Sequence, residues 1–105
     1  MTNIEIDRNL ALAIGYLPDD VVLLVRKRHT FISVRHGFVW VPFSHQDPSV
    51  ILPIMERHDC FPHKLANGEW ASYFESMPGV AQGAHTNPRT AAALAVIKAK
   101  EMGLI

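Results

Sequence analysis

The residues of this chain that are best suited to chemistry lie in one short segment, His58-Asp59-Cys60-Phe61-Pro62-His63. Imidazole nitrogen and thiolate sulfur are the ligands that zinc prefers, usually in a tetrahedral set of four. His58, Cys60 and His63 would supply three of them. A distant histidine would complete the set, and the candidates are His36, His45 and His85. Because no second Cys and no paired zinc spacing is present, we favour a surface loop and predict no cofactor.

Cys60 is also the candidate nucleophile, since it is the only cysteine in the chain. A reactive thiol needs a nearby base and electropositive surroundings that lower its pKa. His58 and His63 are close in sequence, but no catalytic signature, glycine-rich phosphate loop or Ser-His-Asp pattern is visible. The sequence therefore favours an inert cysteine in a protein that is not an enzyme. A lone cysteine also indicates a reducing compartment.

Positive charge is concentrated in one part of a chain whose 10 Lys and Arg balance 10 Asp and Glu. No acid occurs between Val21 and Gln46. The basic residues of this stretch are Arg26, Lys27, Arg28 and Arg35, accompanied by His29 and His36, and its aromatic residues are Phe31, Phe38 and Trp40. A single-stranded nucleic acid, held by charge and stacking, would fit the segment 26–36. An acidic protein surface would fit it equally well, and Trp40 and Trp70 are expected in the core.

Three helices are predicted from capping residues and apolar periodicity. Thr2 and Glu5 have the spacing of a capping box, which begins a helix over roughly residues 3–16. Asp47-Pro48 is a cap followed by proline at the first helical position, and it opens a helix over about 48–58. Pro53 lies inside this second helix, where a kink is expected. Asn87-Pro88 repeats the signal for a last helix over about 88–102.

The last helix carries a continuous face of small residues, which would let it approach a sheet closely. That face consists of Ala91, Ala92, Ala95, Val96, Ala99 and Met102. Leu94 and Ile97 project from the opposite side. They lie either at the edge of a partly covered helix or in a contact with a partner or a second copy.

The remaining segments are predicted as strands. VVLLV, FISV and FVWV are rich in β-branched and aromatic residues, and residues 69–75 and 80–85 read as a later pair. Short connections favour antiparallel pairing. We therefore expect one α+β domain over residues 1–105, with about five strands in one antiparallel sheet and three helices in an α/β/α sandwich. The expected order is α-β-β-β-α-β-β-α.

This pattern resembles the phage ABA sandwich domain, a family of small phage and prophage proteins. The likeness rests on the opening helix IDRNLALAIGY, on the passage FSHQDPSVILPIMERH, and on GEWASYFES followed by AQGAHTNPRTAAALAVIKA. Residues 18–36 depart from the family in being more strand-like and more basic, and Pro53 interrupts its middle helix. The resemblance implies a phage context and the sandwich fold, and it implies no reaction.

The resemblance implies a small phage- or prophage-encoded accessory protein, and we expect this protein to bind a host protein and not to be an enzyme. Its most concrete form is an anti-defence inhibitor, such as one acting on a CRISPR effector. The alternatives are a nucleic-acid-binding protein that uses residues 26–36 and a small metal protein or enzyme that uses His58, Cys60 and His63. A homodimer is a further interaction that we consider. With no signal-peptide pattern and no apolar run of about 18 residues, we expect a cytoplasmic protein that does not bind membranes.

Overall fold

The computed structural model describes residues 1–77 and 79–105. Within them it contains three α-helices, six β-strands and a short 3₁₀ helix at Pro18–Asp20. The helices are α1 (Asn3–Ala13), α2 (Pro48–His58) and α3 (Pro88–Glu101). The strands are β1 (Val21–Arg26), β2 (His29–His36), β3 (Val39–Phe43), β4 (His63–Lys64), β5 (Trp70–Ser76) and β6 (Gly79–His85). The mixed α+β class expected from the sequence is therefore confirmed. None of the helices in these residues is long and apolar enough to cross a membrane.

All three predicted helix starts are confirmed by their hydrogen bonds. The Thr2 hydroxyl accepts from the Glu5 backbone at 3.2 Å, and the Glu5 carboxylate accepts in return from the Thr2 backbone at 3.2 Å. That backbone bond holds the pKa of Glu5 below its ordinary value. Asp47 accepts from the backbone of Ser49, and Asn87 accepts from the first backbone amides of α3. Each helix thus satisfies donors that would otherwise lack partners.

The strands form two sheets instead of the single five-stranded sheet that we expected. The first sheet has the order β1-β2-β3 and the second has the order β4-β5-β6, and every pairing is antiparallel. The additional strand, β4, lies in the segment 59–68, which was expected to be a loop or hairpin arm. Period-two patterns mark strands but do not say which strands pair. Here α2 separates two groups of three strands, and each group completes its own ladder.

The main core lies between the inner face of the first sheet and all three helices. Ile32, Val34 and Phe43 contribute from the sheet, and Leu10, Ile51 and Val96 contribute from the helices. The second sheet packs on the other side of α3, where Phe74 and Ala81 contact Ala99. Because α3 is covered from two directions, it needs small residues on more than one face.

This double coverage corrects the expectation for Leu94 and Ile97. Ile97 is only 5% exposed and belongs to the main core, while Leu94 is half-buried and packs against that core. The helical wheel separated them from the alanine face correctly. It did not show that α1 and α2 cover the second side of α3. The two residues therefore do not form an outward apolar surface.

A buried polar network joins α1, the connection between β3 and α2, and the start of α3. His45 is fully buried, and its Nδ1 lies 2.5 Å from Asp7 Oδ1. The backbone N–H of His45 donates to the same oxygen at 2.7 Å. On the other side of the ring, Nε2 lies 3.1 Å from Thr90 Oγ1, and the Gln46 amide donates to that hydroxyl at 3.0 Å. The network fastens together segments that are 38 and 45 positions apart.

We expect Asp7→Ala to lower the free energy of unfolding by about 3 kcal/mol, because it leaves two buried donors of His45 without an acceptor. Asp19→Ala removes an exposed carboxylate and should change it by less than about 0.5 kcal/mol. Urea denaturation followed by circular dichroism measures both. Equal effects of the two substitutions would contradict a structural role for the network.

Gly83 lets α3 and β6 approach closely, and this makes a second prediction. A Cβ at Gly83 would clash with the Ala91 carbonyl oxygen and the Ala95 nitrogen, both of which belong to the helix backbone. Gly83→Ala should therefore destabilise the protein by about 3 kcal/mol or more. At Gly79 in the same strand a Cβ would make only ordinary contacts, the nearest at 3.6 Å to Leu104. Gly79→Ala should be nearly neutral in the same denaturation assay.

Candidate functional site

Among the described residues, no side chain on the outer face of the first sheet, opposite the core, belongs to either buried cluster. By register, this outer face carries Val22, Leu24, Phe31, Ser33, Arg35, Trp40 and Pro42. Trp40 is 41% exposed and Leu24 is 36% exposed. Leu24 pairs with Phe31 across β1 and β2, and Arg35 pairs with Trp40 across β2 and β3. The result is an apolar and aromatic surface that contains Arg35 and, at the end of β1, Arg26.

Arg35 is held in place by two partners on this outer face. Its guanidinium carbon lies 5.8 Å from the centre of the Trp40 ring, within the range of a cation–π contact. Its Nη2 lies 2.6 Å from Asp20 Oδ1. The Arg35 charge is therefore already neutralised within the chain, although the side chain is half exposed.

The hairpin between β1 and β2 ends in a strongly basic tip, which consists of Arg26, Lys27, Arg28 and His29. All four residues are exposed. Arg26 pairs with His29, so Lys27 and Arg28 form a two-residue turn, with φ values of +49° and +69°. Two positive φ values are the mark of a type I′ turn, for which Asn-Gly is strongly preferred. Lys and Arg occupy this backbone conformation at a cost of about 1–2 kcal/mol per residue.

The structure divides the predicted basic segment 26–36 between the two ends of β2. The basic tip lies at one end, and Arg35 and His36 lie at the other. At about 3.3 Å per residue the two ends are roughly 20 Å apart. His36 Nε2 lies 2.7 Å from the Tyr16 hydroxyl, with the two rings edge to face. The six predicted basic residues therefore do not form one continuous patch.

The aromatic residues of this sheet are more exposed than the sequence suggested. Trp40 was expected in the core but lies on the outer face, and Phe38 is fully exposed at the turn between β2 and β3. Trp70 is half-buried, with the Lys64 ammonium 5.9 Å from its ring centre. The sequence feature that bears on the exposure of this face is the run Val21–Val25, which is apolar on both faces of one strand. Such a run shows that the second face is apolar, but it does not show whether that face is buried or exposed.

The segment 58–63 is not assembled as a metal site. His58 ends α2 with its ring 5.3 Å from that of Phe74, and His63 is exposed on β4. Cys60 is buried, its carbonyl accepts a hydrogen bond from Ser72, and burial raises the pKa of its thiol. Burial, aided by the charge of Arg57, lowers the pKa of His58. Among residues 1–77 and 79–105, no three His, Cys, Asp or Glu side chains are grouped to hold a metal ion.

A polar cleft of about 500 Å³ lies beside this segment. Its lining residues are His58, Asp59, Phe61, His63, Tyr73 and Glu75. Cys60 is not among them, and its raised pKa favours the unreactive thiol form. The cleft combines carboxylates with aromatic rings, which is a combination suited to a small cationic group.

The Asp7, His45 and Thr90 network has the same kinds of groups as a catalytic triad but not the access of one. A nucleophilic hydroxyl must reach its substrate, whereas all three side chains are buried in the interior. In the sequence, His45 was a candidate only as a distant metal ligand, and Asp7 and Thr90 were not predicted as its partners. The three residues are far apart in the sequence, so no short motif indicates that they meet.

No protein-family model matches the chain, and no curated protein matches it in sequence. The resemblance to the phage ABA sandwich domain stays a prediction. Function is therefore inferred from the geometry of the chain's own residues.

The turn geometry predicts that the side chains of Lys27 and Arg28 lower the free energy of unfolding. Lys27→Asn together with Arg28→Gly should raise the free energy of unfolding by about 1–2 kcal/mol, because Asn and Gly tolerate positive φ. Replacing both residues by Ala removes the same charge but keeps the strain, so it should give no such gain. Urea titration of the two double variants measures the difference. Equal stabilities would show that the turn is not strained by its side chains.

Proposed function

We propose that this chain is a non-enzymatic binding protein that recognises an acidic surface of another protein through its basic tip. The observation that supports this most directly is the pair Lys27 and Arg28 at positive φ. Backbone strain of this kind persists where a side chain is needed for function. A turn selected for stability alone would carry Asn-Gly.

The surroundings of the tip suit a protein interface. On the outer face, the pair Leu24 and Phe31 lies next to the pair Arg26 and His29, so an apolar surface continues directly from the basic tip. Interfaces are anchored by aromatic residues and arginine at their centre and by charge at their rim. Complementary charge also speeds the encounter with an acidic partner.

The resemblance to phage ABA sandwich proteins supports a more specific form of this proposal. The chain would act in the cytoplasm of a bacterial host, and its partner would be a host protein. Inhibition of a defence system, such as a CRISPR effector, is the form that we consider first.

Nucleic-acid binding is the second candidate function. It is favoured by the exposed Trp40 ring beside Arg35, an arrangement on which a base can stack. The charge distribution favours it less. Arg35 is already paired with Asp20, and the other Arg and Lys residues of the first sheet lie together at one tip instead of following a groove.

Affinity capture from host lysate tests both candidates. We expect the wild-type chain to capture a protein partner in the presence of nuclease. Lys27→Ala with Arg28→Ala, and equally Lys27→Asn with Arg28→Gly, should reduce recovery at least tenfold. Lys98→Ala with Lys100→Ala removes two exposed cations from α3 and should leave recovery unchanged.

Two outcomes would contradict the proposal. Capture that survives substitution of Lys27 and Arg28 would mean that the basic tip is not the contact. Recovery that disappears with nuclease, together with nucleic-acid binding that weakens steeply as salt is raised, would favour the second candidate.

A further inference from the structure

The two edges of the first sheet are not equally protected. At one edge, β3 carries Pro42, which has no N–H to donate and blocks the addition of another strand. At the other edge, β1 carries neither proline, glycine nor a charged residue between Val21 and Val25. Residues 23–25 of β1 are exposed. The β1 edge is therefore open to pairing, and the β3 edge is not.

The exposed part of β1 is apolar on both of its faces. Leu23 and Val25 point to the inner side of the sheet, beyond the end of the core, and they are 54% and 71% exposed. Leu24 points to the outer face. A strand with one face in water normally alternates apolar and polar residues, whereas a continuous apolar run is typical of a strand whose two faces are both covered. β1 thus has the sequence of a covered strand, although residues 23–25 lie exposed at an edge of the sheet.

The backbone groups of β1 are also available. Arg26 and His29 flank a two-residue hairpin turn, so their backbones are hydrogen-bonded to each other. Hydrogen-bonded and non-hydrogen-bonded pairs then alternate along β1. Val21, Leu23 and Val25 accordingly direct their N–H and C=O groups away from β2. The Val21 N–H fits this alternation, because it donates to the Pro18 carbonyl and not to β2. Leu23 and Val25 have both of their groups free for another strand.

We propose that a second copy of this chain occupies this edge, with β1 pairing antiparallel to β1 about a two-fold axis through Leu23. In a continuous sheet, opposed residues must share a face. This register places Leu23 opposite Leu23 and Val25 opposite Val21 of the second copy. Counting only the backbone N–H and C=O groups that are free in the single chain, this register forms four hydrogen bonds between the two copies. It also places exposed apolar side chains of the two copies beside each other across the ladder, and such cross-strand pairs stabilise a sheet.

Charge complementarity selects this register. With the axis at Leu23, Arg26 lies opposite Asp20 of the second copy, and both side chains are on the outer face. Asp20 already binds Arg35 at 2.6 Å, so its carboxylate would lie between two guanidinium groups. Moving the axis to Leu24 places Arg26 opposite Val22 and loses the ion pair. Opposite charges facing each other across a ladder stabilise it.

The dimer would have one continuous six-stranded sheet made of the two first sheets. Its two outer faces would form a single surface, and its two basic tips would lie at opposite ends of the junction. Lys27 and Arg28 lie beyond the paired segment and stay free. The pairing therefore does not depend on the proposed function, and the two can fail independently.

Sedimentation equilibrium of the purified full chain tests the association. We expect a concentration-dependent dimer for the wild type and a monomer for Leu23→Lys. Val39→Lys is the matched control, because Val39 is 60% exposed on the protected β3 edge and should leave the dimer intact. Arg26→Glu, which opposes Asp20 with a like charge, should raise the dissociation constant at least tenfold. A wild-type chain that stays monomeric up to millimolar concentration would overturn the proposal.

Disulfide trapping tests the register. In a hydrogen-bonded antiparallel pair the two Leu23 Cα atoms would be about 5.5 Å apart, within the disulfide range of roughly 4.4–6.8 Å. The two Val25 residues would be about 14 Å apart along the strands. Leu23→Cys should therefore form a cross-linked dimer under mild oxidation, and the more exposed Val25→Cys should not. Cys60 is buried and is retained. Cross-linking of Val25→Cys as fast as Leu23→Cys, or fastest cross-linking of Leu24→Cys, would overturn the register.

Discussion

The hydrogen-bonded series from Asp7 through His45 to Thr90 is the constraint on which the rest of the structure depends. A buried carboxylate is tolerated only where donors surround it, and here one oxygen receives both the ring and the backbone of His45. His45 lies two residues after β3, so the network orients the first sheet relative to α1. Thr90 lies in the first turn of α3, which carries the second sheet through its close contact with Gly83. The positions of both sheets thus depend on hydrogen bonds to one buried imidazole, that of His45.

The buried core and the exposed, strained residues occupy different parts of the first sheet. The inner face is buried against three helices and contains no strained residue among those that it contributes to the core. Within the first sheet and its turns, the non-glycine residues at positive φ are Lys27 and Arg28, at the far end of the hairpin. This arrangement lets a costly turn be tolerated, because the opening of a peripheral hairpin does not disturb the buried network. The exposed apolar residues lie on the same peripheral part of the molecule.

The features that could be predicted from the sequence are local ones. The caps at Thr2, Asp47 and Asn87 act within three residues, so they located all three helices. Sheet partition, the burial of Ile97 and the exposure of Trp40 depend on which elements meet in space, and no short-range pattern encodes that. At the candidate site, the sequence identified the basic residues of the hairpin but not their separation along β2. It also treated His45 as one histidine among several, because its partners are 38 and 45 positions away.

Pro42 has a consequence for growth of the assembly. A sheet with two open edges can add copies indefinitely and become a fibre, since each added copy offers a fresh edge. Of the two edges of the first sheet, β1 alone is open, and the proposed symmetric contact uses that edge on both copies at once. In the joined sheet the remaining edges are the two β3 strands, and each of them presents a proline ring where a donor would be needed. An association that begins at β1 is therefore complete at two copies, and the apolar run that drives it does not become a template for aggregation.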